Sequence, residues 1–426
     1  MGSRAASQAL RAPQPAVWRP ATLGLLLAIF AINFMDRQLV AVLSEPIKHE
    51  FGLSDAQVGL LYGFAFAVVY SIAGIPIARL ADRGDRARII SASLALFSLM
   101  TIACGLAASY AQLLLARVGV AVGEGGTNPA SHSLIAELYP EARRGTAMAV
   151  FALGPSAGIL LGFVFGGVIG QAWGWRAALV AAGIAGLCLA MLTTRLLKDS
   201  PRAAAGNGPA SPSVPHCLRQ LFSHAAMRHV FLGGALASFA AYAAIGWLPA
   251  FLMRSHGMGT AAAGTVLGIL LGVLGAVGTL AGGVLADRLG KRDPAWRLRI
   301  VAVAFVAVVP LWVLALLAPH PGAAIASLAI PAAVLCLYLA PTFAAVQSLA
   351  DPAMRALAAA LLLLAGTLIG LGLGPLVIGL LSDALRPAHG ADSLRLALLF
   401  VVPVYLWSAV HYLAASRSLA ADLESR

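Results

Sequence analysis

The sequence predicts an all-α membrane protein, with twelve transmembrane helices in two pseudo-symmetric six-helix bundles. Three observations carry this. Apolar residues make up 60% of the chain and charged ones only 11%, where a soluble domain carries about 25% charged; the mean hydropathy of +0.88 leaves too little polar surface to cover 426 residues in water. Apolar runs of roughly 20 residues, the length that crosses a bilayer as a helix, recur along the whole chain. Charged motifs of the early runs return in the same order among the later ones.

Residues 1–20, with Arg4, Arg11 and Arg19 among Ala and Pro, read as a cytoplasmic tail. They do not read as a signal peptide, because the next apolar run leads into a polar centre and not a small-residue cleavage site. The first bundle, 21–195, places spans at 21–43, 57–78, 88–108, 112–136, 146–170 and 176–195. In the linker, 196–228, a charged stretch from Lys198 to Arg202 gives way to Gly206, Gly208, Pro209, Pro212 and Pro215, which oppose helix. Leu218, Leu221 and Phe222 then suggest a short amphipathic helix. The second bundle, 229–415, has spans at 229–252, 261–286, 300–318, 323–349, 357–382 and 395–415, and 416–426 is a cytoplasmic tail.

Charge sets the orientation. With the N-terminus inside, cytoplasmic segments hold 22 of the 29 Lys and Arg, outer segments hold 5, and Arg37 and Arg117 lie within spans. This follows the positive-inside rule and predicts an integral plasma (inner) membrane protein with both termini cytoplasmic. The net charge of +12 then reports topology and contact with anionic membrane lipids. Nucleic acid is not an expected partner, since no basic run is interleaved with aromatics. Cys104, Cys188 and Cys336 stand singly in spans and Cys217 in the linker, with no CxxC and no His at ligand spacing. No metal and no cofactor are expected. No Ser or His nucleophile stands beside a base, which argues against an enzyme.

Internal symmetry is strong. Leu80-Ala81-Asp82-Arg83 at the end of span 2 recurs as Leu285-Ala286-Asp287-Arg288 at the end of span 8. Span 4 ends Ser133-Leu134-Ile135-Ala136-Glu137 before Pro140 and Arg143; span 10 ends Ser348-Leu349-Ala350-Asp351 before Pro352 and Arg355. Spans 5 and 11 share Gly154-Pro155 and Gly374-Pro375. Three matched features in order indicate a duplicated six-helix unit, the parallel-repeat plan of a rocking carrier. Asp82 and Asp287 end helices at the inner face, where acid and base can clamp neighbouring helices in one state and release them in another. Arg83 with Glu137, and Arg288 with Asp351, are the expected gating pairs.

These motifs resemble the major facilitator superfamily. Gly283 to Arg292 is a near-complete copy of its inner-loop signature, Ala78 to Arg86 a looser one with Ala78 and Asp85 at glycine positions, and Arg117 to Gly125 is similar to its fourth-helix motif. Asn33-Phe34-Met35-Asp36-Arg37-Gln38, Glu45-Pro46-Ile47-Lys48, Gly74 to Arg83 and Gly123-Glu124-Gly125 resemble the spinster-like branch, whose characterised members export lysolipids and sphingoid phosphates. Gly154 to Gly158 is only a fragment of the superfamily's antiporter motif, so the direction of coupling stays open. The resemblance implies a monomeric secondary carrier working by alternating access. Its expected partners are protons and a lysolipid-like or small-molecule substrate, with a small organic anion as the alternative.

The candidate site is a set of charges inside the spans, where an ionised group costs at least about 2.5 kcal/mol and normally faces a polar cavity and a partner. Asn33, Asp36 and Arg37 share a face at i, i+3 and i+4 of span 1, while Arg117, Glu124 and Asn128 recur on one stripe of span 4. Asp36 lies about 22 Å along its span and Glu124 about 18 Å along its own, both near mid-membrane. Spans 1 and 4 line the cavity in the resembled family, so Arg37 with Glu124 is the expected pair, leaving Asp36 free to exchange a proton. The second bundle offers Tyr242, Tyr338, Thr342, Gln347, Ser348 and Thr367 and no charge at this depth. Such a cavity suits an amphiphile, head on the charges and tail on the apolar half. His132 reads as a packing residue of span 4.

Overall fold

The structure is a computed structural model and describes residues 18–197, 214–351 and 354–424. Among these every regular element is helical. The tail arginines Arg4 and Arg11 and the linker run from Lys198 to Pro212 lie outside the described residues.

Among the described residues, nine stretches are long and apolar enough to cross a membrane, and three features turn them into twelve crossings. Spans 5 and 6 run together as Gly154–Leu196, preceded by Glu141–Phe151, and the chain reverses at Gly174, whose φ of +85° suits only glycine. Spans 11 and 12 lie in one apolar stretch, Arg355–Asp422, interrupted by a single 3₁₀ turn at Gly390–Asp392. Span 4 is split into Tyr110–Glu124 and Thr127–Leu138 by Gly125 and Gly126, so neither piece spans alone.

The other crossings follow the predicted order. Span 1 is Trp18–Val42, span 3 is Arg86–Gly105, span 7 is Ala225–His256, span 9 is Trp296–Leu317, and span 10 is Pro321–Leu337 followed by Leu339–Leu349. Spans 2, 8 and 11 each contain a π-helical segment, at Leu60–Phe64, Gly268–Leu274 and Gly366–Leu373. Such bulges are rare and cluster where helices must bend. Two short helices lie off the spans. Ser44–Phe51 sits on the side opposite the termini, and Val214–Leu221 is the amphipathic linker helix expected from Leu218 and Leu221. Leu221 is buried and Phe222 packs edge-on against Phe231, so the linker helix docks on span 7.

Helices packed in lipid gain little from hydrophobicity and rely on close backbone approach. Glycines at 154, 158, 162 and 166 form one stripe of span 5 against span 1; a Cβ at Gly158 would lie 2.3 Å from the Ala31 carbonyl oxygen. The two halves meet along spans 2 and 11 and along spans 5 and 8. Both seams are tight only toward the side opposite the termini. Gly59 and Gly63 of span 2 press on the backbone at Pro375 and Leu371, and Gly264 and Gly272 of span 8 press on Phe163 and Leu160. Hydrogen bonds and ion pairs between described residues also join the two halves on that side, at Glu45, Asp55, Ala56 and Gln171 of the first half. Among the described residues, the two halves are therefore joined on the side opposite the termini.

Candidate functional site

The mid-depth charges assemble as two crossed ion pairs. Arg37 reaches from span 1 to Glu124 of span 4, with Nε and a terminal nitrogen on Oε2 at 2.9 and 2.8 Å. Asp36, its neighbour in sequence, turns a different way and binds Arg117 of span 4. All four are deeply buried, Glu124 and Arg117 at 0% and 1% exposure. Buried charges persist only when paired and hydrogen-bonded.

One expectation is corrected here. Asp36 is not free: besides Arg117 it accepts from the Thr101 hydroxyl of span 3 at 2.6 Å. Residues i and i+1 on a helix point about 100° apart, so Asp36 and Arg37 meet different partners on span 4. The expected pair of Arg37 with Glu124 is present.

The split in span 4 is part of the site. Thr127, directly after the break, returns its hydroxyl to the Glu124 carbonyl at 3.0 Å and accepts from the Asn33 amide at 2.5 Å. Asn33 is thus tied to the same pair of helices, and Asn128 lies half-buried beside it. Aromatic rings enclose the cations. The Arg37 guanidinium lies 5.0 Å from the centroids of Phe34, Phe66 and Tyr70, and Arg117 lies 4.7 Å from Phe66, so one ring of span 2 serves both. Tyr242 of span 7 reaches Arg37 from the second half. A desolvated cation–π contact contributes up to about 2 kcal/mol, which offsets part of the burial cost. The sequence reading missed Phe34, Phe66, Tyr70, Thr101 and Thr127. Phe66 and Tyr70 stand at i and i+4 on span 2, a signal that reads as ordinary helix packing until Arg37 is placed against it.

Several polar atoms of the site are buried and unpartnered: Nε and one terminal nitrogen of Arg117, Oε1 of Glu124, and the amide oxygens of Asn33, Gln38 and Asn128. A buried polar group without a partner costs about 1–3 kcal/mol, so these atoms are candidates for contact with a ligand. His132 packs edge-on against Phe151, the packing role expected of it. In the second half, Tyr338 and Thr342 bond to Ser238 and Tyr412 of their own bundle.

Glu137 pairs with Arg86, buried at 0% exposure, at 2.7 Å; the expected partner Arg83 has its side chain outside the described residues, as does Asp82. Arg86 begins span 3 and enters the bundle, where it also reaches Ser133. Arg288 does not meet Asp351. Asp287 and Arg288 are exposed at the end of span 8, and Asp351 accepts from Gln220 of the linker helix.

Comparison with known proteins agrees with this architecture. The family model described as Major Facilitator Superfamily matches residues 26–375. An MFS-type efflux pump of Mycolicibacterium smegmatis (strain ATCC 700084 / mc(2)155) is 37% identical over 408 residues, covering 95% of this chain and 94% of the pump. A crystal structure of a bacterial homologue of the human lysosomal transporter Spinster, in an inward-facing and unoccupied conformation, superposes with a TM-score of 0.87 at 30% identity, covering 96% of this chain and 99% of that one. A probable L-galactonate transporter of Escherichia coli (strain K12) is 26% identical over 284 residues, covering 63% of this chain and 62% of that protein.

Proposed function

The chain belongs to the Major Facilitator Superfamily and is an integral membrane transporter, and from that premise we propose that it moves an amphiphilic, lysolipid-like substrate by proton-coupled alternating access. On this reading it is a monomer in the plasma (inner) membrane with both termini cytoplasmic, so the side on which the described contacts join the halves faces away from the cytoplasm. The observation that carries the substrate proposal is the asymmetry of the site. Two ion pairs with spare donors and acceptors stand on one half, and the facing half offers Tyr242, Tyr338, Thr342 and apolar side chains without a charge at that depth. A polar head would sit on Asn33, Asp36, Arg37, Arg117, Glu124 and Asn128 while its chain lies against the second half.

The proton belongs with Glu124. Arg37 occupies one of its oxygens and the other has no partner, whereas Asp36 is held by both Arg117 and Thr101. Protonating Glu124 loosens Arg37, and a freed guanidinium recruits an anionic head, which couples the two events. Asp82, Arg83, Glu137, Asp287, Arg288 and Asp351 act as gates on the terminus side, engaging fully when that side closes.

A second reading, transport of a small organic anion, is favoured by the two unpartnered nitrogens of Arg117. Proteoliposomes decide between them. Uptake of a fluorescent lysolipid that rises with an imposed pH gradient and disappears in Glu124→Gln is the expected result. Transport of hydroxy acids with no lysolipid movement would establish the second reading instead.

A further inference from the structure

Arg37 and Arg117 belong to separate ion pairs, and between described residues no hydrogen bond runs from one pair to the other. Their members on span 4, Glu124 and Arg117, stand seven residues apart, about 10 Å along a helix. One ring bridges that gap. The Phe66 centroid lies 5.0 Å from the guanidinium carbon of Arg37 and 4.7 Å from that of Arg117. The ring is 0% exposed and stacks on Tyr70 at 5.8 Å and 15°, and Tyr70 in turn lies 5.0 Å from Arg37. Arg117 has few other holds. One terminal nitrogen binds Asp36, while Nε and the second terminal nitrogen have no hydrogen-bond partner among the described residues. The face of Phe66 is therefore a large part of what keeps that guanidinium in place.

We propose that Phe66 is a positioning residue that couples the two ion pairs, so that release of Arg37 at Glu124 also loosens the hold on Arg117; this rests on the transport reading above, in which protonated Glu124 lets Arg37 go. An aromatic face holds a cation through its quadrupole, and two guanidiniums on one ring together fix where that ring sits. When Arg37 withdraws, the stacked rings of Phe66 and Tyr70 lose their cation on that side and move into the vacated space, because a packed interior does not keep a void. Arg117 then retains Asp36 but loses its ring, and its two unpartnered nitrogens are free to meet an entering anion. One proton thereby readies two cations for one head group. Span 2 is suited to the part. Its π-helical segment Leu60–Phe64 ends two residues before Phe66, and Gly63 presses on the Leu371 backbone of the second half, so the ring and the seam ride on one helix.

Each pair has its own reporter. Thr127 donates to the Glu124 carbonyl and accepts from Asn33, and Thr101 donates to Asp36 at 2.6 Å. Threonine methyl NMR of the full chain in lipid nanodiscs reads both, the two signals being assigned by Thr127→Ser and Thr101→Ser. Glu124→Gln, which mimics the protonated acid, should move the Thr127 signal by contact and the Thr101 signal through Phe66. In Phe66→Leu, which keeps apolar bulk without a π face, Thr127 should still respond to Glu124→Gln while the Thr101 shift falls by more than half. Phe66→Tyr keeps the ring and should restore the shift. Should Phe66→Leu not fold, trifluorophenylalanine at position 66, which has nearly the same shape with an electron-poor face, carries the test and should likewise suppress the Thr101 shift. A Thr101 signal that ignores Glu124→Gln in the wild-type background would overturn the proposal. So would one that moves equally without the aromatic face, as transmission along the backbone from Arg37 to Asp36 would make it. No substrate is needed, so failure of the transport reading shows separately, as an intact relay in a protein that moves no lysolipid.

Discussion

Arg37 is where burial cost, pairing and aromatic contact meet in one side chain. Its partner Glu124 is 0% exposed, and removing either member leaves a buried charge uncompensated, at roughly 3–5 kcal/mol by analogy with soluble proteins. Arg37→Ala and Glu124→Ala should each be severe. Because the pair is direct, the double variant should lose far less than the sum, and additive losses in thermal stability would show that the pair contributes nothing. A second residue-scale prediction concerns Glu50, outside the spans. The indole N–H of Trp175, together with Arg176, holds its carboxyl below the usual carboxylate range. A lowered folded-state pKa stabilises above the unfolded value, near 4.3 for Glu, and the benefit is lost as pH falls through the folded one. The melting temperature of wild type should therefore exceed that of Glu50→Gln at pH 6, with the difference shrinking toward pH 3. A constant difference would assign the contact to packing alone.

Single elements are governed by where helices touch. Span 5 approaches span 1 through its glycine stripe, so Gly158→Leu forces a side chain into the Ala31 carbonyl and should destabilise by roughly 1–3 kcal/mol, as overpacking does. Gly322→Leu, where nothing lies within 4 Å of an added Cβ, should leave the melting temperature unchanged. The seam between spans 2 and 11 behaves differently, because on the alternating-access reading it separates during transport. A Cβ at Gly63 would lie 2.4 Å from the Leu371 carbonyl oxygen. Gly63→Ala should therefore favour parting of this face, and a cysteine at Ile245, 7% exposed here, should react faster with an impermeant thiol reagent. An unchanged rate would mean that the π-helical segments flanking the seam absorb the methyl group.

On the proposed alternating-access reading, the whole molecule has two closures, each with its own charges. Asp287 and Arg288 are exposed, which on that reading fits residues that pair in the other state. Asp287→Ala should then remove stabilisation from the state closed at the termini and lower the Ile245 thiol rate, with a larger effect than Asp82→Ala, since the first copy of the motif departs at Ala78 and Asp85. Equal thiol rates and equal transport in wild type and both variants would reduce these residues to topology charges.

Composition, period and repeated motifs determined the membrane class, the twelve crossings and the duplication, and the family resemblance added the pair of Arg37 with Glu124. These follow from the sequence because a bilayer demands apolar length and charges the cost of every ion to a visible purpose. The turn of Asp36 toward Arg117 and Thr101, the burial of Arg86 against Glu137, and the aromatic box from span 2 were decided by tertiary structure alone. In each case the deciding quantity is the rotation of one helix against another, which a helical period leaves undetermined until backbones touch at glycine. The grip of Arg254 on Glu45 and Asp55 was equally hidden: its partners lie 209 and 199 residues away, and only closure of one face brings them within reach.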